Sequence, residues 1–459
     1  MRVKVLPVVL LAMMLVVGAC SGDDDGGGGG VASGPGLILC SEVGELGEPL
    51  DGLIVLTPEG ERVRTIAGGR LMPRWVAGNS SKALYYDFRG DDLFLIDAAT
   101  GSKTAISDDL DLMLPWYSTE RFIVAGKAPA GGALVDLERG TVYDLAELFG
   151  LSDADDVVHP VPDFDAAEEQ VLITILSGEW GVWLVPTAAP EQARLLGTEA
   201  RTGALNDAGD RVVFFEDGIG NVGAADGDSF TSFGSDLMWV EFVDGGILAT
   251  DRDSLLLYDE DGGGERVLWE VPGTLSFFRV NDGGRWAVVG FWDDEAETQI
   301  WLVVNARERQ ATEMGGLDGL QPLFVGDGYA LFAGRSAGFE GIGNFDRVAV
   351  IDLAGAAVIE LPAPVDGVVP HLGSPDGNRH LMRGRDGWLL VDLPGATITL
   401  LPGDLAGVSF SPDGERVVMA RWDGEDRATV DLIVAEVEAL GVGTSLGVAC
   451  ESPVWVAGG

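Results

Sequence analysis

The stretch VSFSPDGERVVMARWDG, residues 408–424, predicts two short β-strands joined by a tight turn. In the turn, Pro412 presets φ for the first corner, Asp413 can accept a hydrogen bond from the backbone that follows it, and Gly414 takes a positive φ without steric cost. A strand pair of this kind cannot bury both of its faces alone, so it needs copies of itself to form a core. The stretch therefore predicts a protein built from repeated strand units.

Copies of this unit recur about every 40 residues, a period typical of propeller repeats. The full turn stands again at residues 374–377, and degenerate forms stand at 206–209, 281–284 and 325–328. A second marker is an apolar strand that ends in Asp and is followed by Gly three or four residues later, which is a hairpin signal. That marker occurs at Asp97, Asp136, Asp259, Asp352 and Asp392.

The repeat register predicts the first strand of each unit. These strands are expected near Trp75, Trp116, Val161, Leu205, Trp239, Phe277, Leu323, His371, Val408 and Val454. The count gives ten units, of which the one between residues 202 and 233 is the weakest, and one helical insert is predicted at residues 141–149. The fold class is therefore all-β: a β-propeller of four-stranded blades, about eight to ten in number. Two smaller propellers are the alternative arrangement of ten units.

The two ends of the chain predict how the ring closes. The final segment, SPVWVAGG at residues 452–459, reads as a first strand with nothing after it, whereas the N-terminal unit has only its second, third and fourth strands. Joining the two ends completes one blade and removes open sheet edges. The propeller domain is thus predicted to span residues 37–459.

Cys40 and Cys450 lie near opposite ends of this domain. A lone pair of cysteines in an exported protein favours a disulfide, and the shared blade would bring the two onto neighbouring strands. Two buried, unpaired thiols are the alternative. A disulfide here would tie the ring at the blade that both ends share.

The N-terminus, MRVKVLPVVLLAMMLVVGAC, has the basic start, apolar run and small-residue end of a secretory signal. Its apolar run is too short for a comfortable transmembrane helix. Residues 17–20 resemble the lipobox of bacterial lipoproteins, which implies removal of residues 1–19 and acylation of Cys20. An ordinary signal peptide followed by a chance cysteine is the alternative.

Residues 20–36 are rich in Gly and Asp and predict a flexible tether, with a mean span of about 20 to 25 Å. The propeller is therefore expected at the extracytoplasmic face of a cell membrane, held there through the lipid anchor alone.

The chain is strongly acidic. Arg2 and Lys4 lie in the signal segment, so 27 of the 29 Lys and Arg residues remain against 74 Asp and Glu, a net charge of −47. This balance disfavours nucleic acid as a partner, because its phosphates would be repelled. Basic proteins, divalent cations and a saline habitat are all compatible with it.

The SPDG turns at Ser374 and Ser411, together with the third strands that end in Asp, resemble the TolB-like β-propeller repeat. The resemblance covers roughly residues 37–459, and the whole chain is similar to a propeller-bearing bacterial lipoprotein. It implies a propeller fold and protein–protein contact at the cell envelope. The motif is specific for fold and leaves function to the site.

Few residues suggest catalysis. Residues 334–338 match the G-x-S-x-G nucleophile elbow, but their glycine-rich continuation does not predict the helix that an elbow requires, so we interpret them as a loop. His159, His371 and His380 lack the spacing of a zinc site. No catalytic residue, metal ligand or cofactor is predicted, although calcium stays open as an option.

The strongest site candidates are acidic and aromatic residues at loops between second and third strands, which share one face of a propeller. They are Asp251, Asp253, Trp292, Asp293, Asp294, Trp422 and Asp423. Carboxylates beside aromatic anchors suit calcium, a sugar or a basic protein surface. The opposite face is nearly as acidic, so uniform acidity that serves solubility or a saline habitat is the alternative.

Together these features predict a membrane-tethered, extracytoplasmic β-propeller that works by binding, as a protein-interaction or sensing module of the envelope. An envelope protein is the expected partner. Two alternatives stay open: an extracellular propeller enzyme of hydrolase or lactonase type assisted by calcium, and a carbohydrate or small-ligand binding protein.

Overall fold

A computed structural model describes the chain from Gly36 to Gly458. The description omits residues 44–48, 68–70, 77–80, 88–91, 108–109, 120, 128–131, 152–159, 176–180, 228, 271–272, 282, 294, 335–346, 362–368, 385–386, 402 and 424–428. The described residues form ten four-stranded antiparallel sheets arranged in a ring as the blades of a propeller. The predicted fold class and repeat count are confirmed.

The first half of the chain forms most of blade 1 and all of blades 2 to 5. Blade 1 begins with β1 (Leu37–Val43), β2 (Pro49–Leu56) and β3 (Arg62–Ala67). Blade 2 contains β4 (Leu71–Val76), β5 (Lys82–Asp87), β6 (Asp92–Asp97) and β7 (Ser102–Ser107). Blade 3 contains β8 (Leu110–Ser118), β9 (Phe122–Lys127), β10 (Gly132–Asp136) and β11 (Thr141–Asp144). Blade 4 contains β12 (Pro160–Phe164), β13 (Gln170–Ile175), β14 (Gly181–Pro186) and β15 (Arg194–Thr198). Blade 5 contains β16 (Ala200–Leu205), β17 (Arg211–Glu216), β18 (Ile219–Ala224) and β19 (Phe230–Phe233).

The second half forms blades 6 to 10 and returns to blade 1. Blade 6 contains β20 (Trp239–Val243), β21 (Gly246–Thr250), β22 (Ser254–Tyr258) and β23 (Arg266–Glu270). Blade 7 contains β24 (Gly273–Val280), β25 (Trp286–Asp293), β26 (Thr298–Asn305) and β27 (Gln310–Met314). Blade 8 contains β28 (Leu320–Val325), β29 (Tyr329–Gly334), β30 (Arg347–Asp352) and β31 (Ala357–Leu361). Blade 9 contains β32 (Val369–Gly373), β33 (Arg379–Gly384), β34 (Gly387–Asp392) and β35 (Thr397–Leu400). Blade 10 contains β36 (Leu405–Phe410), β37 (Arg416–Asp423), β38 (Thr429–Glu436) and β39 (Thr444–Ser445), and β40 (Cys450–Val456) completes blade 1.

Each predicted first strand is found where the repeat register placed it, including that of the weakest unit, blade 5. The predicted helical insert at residues 141–149 is wrong in its first half. Thr141, Val142 and Tyr143 pair with β10 as strand β11, because β-branched and aromatic side chains suit a sheet. The helix α1 is Leu145–Phe149, and it begins where the Asp144 carboxylate accepts the N–H groups of the first turn.

In the described ranges, a small polar residue closes the first hairpin in five blades. Its side-chain oxygen accepts the N–H of the residue five positions later, while its own N–H donates to the carbonyl of that residue. The side-chain distances are 3.0 Å at Asp165, 2.9 Å at Asn206, 2.6 Å at Asn281, 2.9 Å at Ser374 and 2.9 Å at Ser411. Because these hydrogen bonds are local, each hairpin specifies its own strand register.

The Asp that ends a third strand shapes the turn into the fourth strand. Its carboxylate accepts backbone N–H groups two or three residues later, within the hairpin turn that the sequence marker predicted. This arrangement is present at Asp97, Asp136, Asp352 and Asp392.

The core is divided among the interfaces between blades. Among the described residues, ten hydrophobic clusters lie one at each interface, from blades 1 and 2 round to blades 10 and 1. Successive side chains of one strand therefore enter different clusters: Leu39 and Val454 pack against blade 2, whereas Ile38 and Trp455 pack against blade 10.

The C-terminal strand closes the ring as predicted. β40 pairs antiparallel with β1, with Ile38 opposite Trp455 and Leu39 opposite Val454. Cys40 and Cys450 form a disulfide with their Cα atoms 5.8 Å apart, and both are fully buried between blades 10 and 1. The disulfide therefore lies in the interface between blades 10 and 1, which closes the ring.

The predicted signal and lipidation site, residues 1–19 and Cys20, lie outside the described residues. Within the part that is described, no helix has the length and apolar character needed to cross a membrane.

Candidate functional site

The loops between second and third strands share one end of the ring, because successive strands of a blade run in opposite directions. We term this end the candidate face, and the end that carries the first-to-second and third-to-fourth turns the opposite face. Blades 6 and 7 are neighbours and bring four predicted site residues onto adjacent parts of the candidate face. They are Asp251, Asp253, Trp292 and Asp293.

Two of these carboxylates serve their own turns. Asp251 Oδ1 accepts the N–H groups of Asp253 at 2.8 Å and Ser254 at 2.6 Å. Asp293 Oδ1 accepts the N–H groups that follow it in the same way, at 2.8 and 2.9 Å. These hydrogen bonds fix the conformation of both loops and hold negative charge at their tips.

Trp292 is the exposed aromatic residue of this pair of blades. It is 42% exposed and lies one residue before the end of β25. It stands opposite Gln299, whose amide donates to Ser276 Oγ at 2.6 Å. The indole thus lies on a continuous surface of three strands and not on a free loop. Because the backbone is already ordered there, little further conformational entropy is lost when the indole contacts a partner.

Trp422 does not join this group. It lies on blade 10, with blades 8 and 9 between it and Trp292, and it packs against the cluster that closes the ring. Asp294 and the side chain of Asp423 lie outside the described residues. The structure therefore divides the predicted rim into an exposed group on blades 6 and 7 and a half-buried tryptophan beside the disulfide.

The histidine that is described belongs to the core. His380 on β33 is buried, with its ring centroid 4.6 Å from that of Phe324. Burial lowers its pKa to about 4, so the imidazole is neutral at pH 7. His159, the side chain of His371 and residues 335–338 of the elbow-like segment lie outside the described residues. No cluster of three or more His, Cys, Asp or Glu side chains suited to a metal ion occurs in the described ranges.

Two carboxylates on first strands were not singled out from the sequence. Asp163 on β12 accepts the N–H of Leu205 at 2.5 Å and so links blade 4 to blade 5. Burial, and then the charge of Asp163, raise the pKa of Glu241 on β20 well above its usual range. Asp163 and Glu241 both lie on first strands. The alternation of side chains along a strand does not by itself show which charged residues are in contact with other blades, so neither residue could be singled out from the sequence.

A cavity of about 690 Å³ on the opposite face was also not predicted. It lies where blades 3, 4 and 5 meet, and its basic lining residues are Arg121, Arg139 and Arg194. The three arginines are 73 positions apart at the extremes, so no local motif reveals them. The signal available in the sequence was the long β14–β15 connection, which contains a short 3-10 helix, Pro190–Gln192.

No protein-family model matches the chain, and no curated protein matches it in sequence. Solved structures with a similar fold include a dihydro-heme d1 dehydrogenase, at 12% identity and a TM-score of 0.39, covering 93% of this chain and 75% of that one. An oligogalacturonate lyase in complex with manganese is 14% identical, with a TM-score of 0.37, and the match covers 71% of this chain and 82% of that one. The Dos1 propeller is 12% identical, with a TM-score of 0.38, and the match covers 63% of this chain and 85% of that one.

Similarity at this level says nothing about activity or partner. The class of the protein rests on its own sheets: it is a ten-bladed β-propeller, closed by both ends of the chain.

Replacing His380 with Leu should remove part of the pH dependence of stability. The folded imidazole has a pKa of about 4 against an ordinary value of 6.5, so the unfolded chain binds the proton first and stability is lost as pH falls between these values. Between pH 7 and pH 5, the wild type should lose about 2 kcal/mol more of its free energy of unfolding than the variant does. Urea denaturation at both pH values measures this difference, and equal losses would contradict the assignment.

Proposed function

We propose that this chain is a lipid-anchored, extracytoplasmic β-propeller that binds a partner protein of the cell envelope through the candidate face of blades 6 and 7. The observation that carries the proposal is Trp292, an exposed indole on β25 that directly precedes the turn of Asp293, on the blade next to the one that carries the turn of Asp251. Interfaces are commonly anchored by exposed aromatic residues on a preorganised frame, with charged groups around them.

The partner is expected to present a basic surface with an apolar pocket. Residues 37–459 carry 27 Lys and Arg against 71 Asp and Glu, a net charge of −44, so the propeller has a negative field that attracts a basic protein and repels an acidic one. Asp293 directly follows Trp292, and Asp251 lies on the same face of the neighbouring blade, so attraction and anchoring act on one face of the ring.

The disulfide supports an exported protein. Bonds such as Cys40–Cys450 persist in oxidising compartments and are rare in the cytosol. Together with the signal-like N-terminus, the lipobox-like residues before Cys20 and the tether, it favours a propeller held near the outer side of a membrane.

Membership of the TolB-like repeat family is part of the proposal. Its support is the SPDG turn of blades 9 and 10, in which Ser374 and Ser411 each accept the N–H five residues later. The same position is filled by Asn or Asp in three other blades, which fits a repeat that has diverged around one hydrogen bond.

Replacing Cys20 with Ala should release the protein from membranes, because the acyl chains would have no thiol to modify. Membrane and soluble fractions of the producing cells, separated by centrifugation and probed for the propeller, measure the effect. The neighbouring change Ser21→Ala is the control and should leave the protein in the membrane fraction. Retention of the Cys20→Ala protein at the wild-type level would contradict lipid anchoring.

A photo-cross-linking amino acid at position 292 should capture one predominant envelope protein in intact cells. The matched control position is Val267 on the outer strand β23, which is 50% exposed but lies away from the candidate face. Trp292→Ala, tested by co-purification, should reduce partner recovery about tenfold or more, as expected for an aromatic anchor.

Identical capture at positions 292 and 267, or no capture at 292, would overturn the assignment of this face. Repeating the capture with a calcium chelator separates protein binding from the calcium-assisted alternative, since direct protein contact should survive chelation.

A further inference from the structure

The cavity on the opposite face is a built feature of three blades. Its walls come from the first-to-second turns of blades 3 and 4, the third-to-fourth turns of blades 3, 4 and 5 and the adjoining strands of blade 4, and its volume is about 690 Å³. Blade 3 has a four-residue turn at this place, residues 137–140, whereas blade 4 has the longer connection with the helix Pro190–Gln192. A volume of this size accommodates a small organic molecule.

Arginine is concentrated in the lining. Arg121, Arg139 and Arg194 line the cavity together with the carboxylates of Glu169 and Asp226, and two further carboxylates, those of Asp136 and Glu138, pair with Arg121 and Arg139. The positive charge of the three arginines is therefore balanced by carboxylates close to them. Glu169 and Asp226 are exposed. A multiply charged anion would meet repulsion from the carboxylates around the cavity, so the site favours a ligand group that one guanidinium can hold through paired hydrogen bonds.

Two of the arginines are positioned by one buried carboxylate. Asp136 is fully buried and accepts the N–H groups of Glu138 at 2.9 Å and Arg139 at 3.0 Å. Its Oδ2 lies 3.3 Å from Arg121 Nη2 and 3.7 Å from Arg139 Nη1. The two guanidinium groups are thus held beside each other by a group that solvent does not reach.

The three arginines differ in how many of their N–H donors contact other groups of the protein. Arg121 also contacts Glu138 at 3.1 Å, and Arg194 donates to the carbonyls of Gly227 and Ala225 on the next blade. Within the described part of the chain, Arg139 makes one ion-pair contact, at 3.7 Å, and its side chain is 44% exposed. A guanidinium has five N–H donors in a planar fork that matches a carboxylate, so Arg139 retains donors for a ligand.

We propose that this cavity binds a small, polar monocarboxylate, with Arg139 as the residue that recognises the carboxylate. Two amide side chains in the lining can form hydrogen bonds with hydroxyl groups of the ligand. They are Gln170, whose amide donates to the Gly209 carbonyl at 2.9 Å, and the exposed Gln192. The site lies on the opposite face from Trp292, so it can be occupied independently of a protein bound to the candidate face.

Binding of D-gluconate to the full folded domain, measured by isothermal titration calorimetry, tests this proposal. D-Gluconate should bind with a dissociation constant in the millimolar range or below, and D-glucose, which lacks the carboxylate, should bind about tenfold or more weakly. Inorganic phosphate should also bind more weakly, because its higher charge is repelled by the carboxylates around the cavity, whereas the planar fork of one guanidinium matches a carboxylate.

Arg139→Gln should weaken gluconate binding about tenfold or more. Arg309→Gln is the matched control, since Arg309 occupies the corresponding turn of blade 7, is 43% exposed and also pairs with an aspartate. A thermal melt of each variant verifies folding, and Arg139→Lys, which keeps the charge but loses the fork, should recover only part of the affinity.

Three results would overturn the proposal. They are the absence of gluconate binding at 10 mM, equal affinity for gluconate and glucose, and an affinity of folded Arg139→Gln equal to that of Arg309→Gln.

Discussion

Each blade of this protein is a single sheet with two apolar faces, and that constraint determines the rest of the structure. Ile38 and Leu39 are consecutive, yet one packs toward blade 10 and the other toward blade 2. An open row of blades would leave two apolar faces in water, at a cost proportional to the exposed area. The ring avoids this cost only because β40 completes blade 1, with Trp455 inside the last interface and the disulfide in the same cluster.

The features that could be predicted from the sequence are those specified within one blade or by pairing of the chain ends. The turn residues Ser374 and Ser411 act through hydrogen bonds to backbone five residues away, so their spacing is visible in the sequence. The shared blade could be predicted because the N-terminal unit lacks a first strand and the C-terminal segment is a first strand with no further strands after it. The disulfide followed from the shared blade, since strand pairing leaves Cys40 and Cys450 within bonding distance.

The features that could not be predicted depend on contacts between blades. Trp292 and Trp422 occupy the same place in the repeat, each followed by the Asp that ends a second strand. One is exposed on blade 7, and the other packs against the closing cluster, because blade 10 adjoins the shared blade. The arginine cavity has the same origin, since its walls come from three blades and Arg194 reaches across to carbonyls of the next. A pattern within one repeat does not specify what the neighbouring repeat places against it.

Closure by the C-terminal strand is tested most directly by hydrogen exchange of the folded protein, followed by mass spectrometry of the peptide that contains Val454, Trp455 and Val456. The amides of these residues should exchange as slowly as those of β1 and β2, because opening β40 exposes the interface between blades 10 and 1 and so requires the ring to unfold. Exchange of this peptide at the rate of a frayed terminus, while β1 and β2 stay protected, would contradict the account.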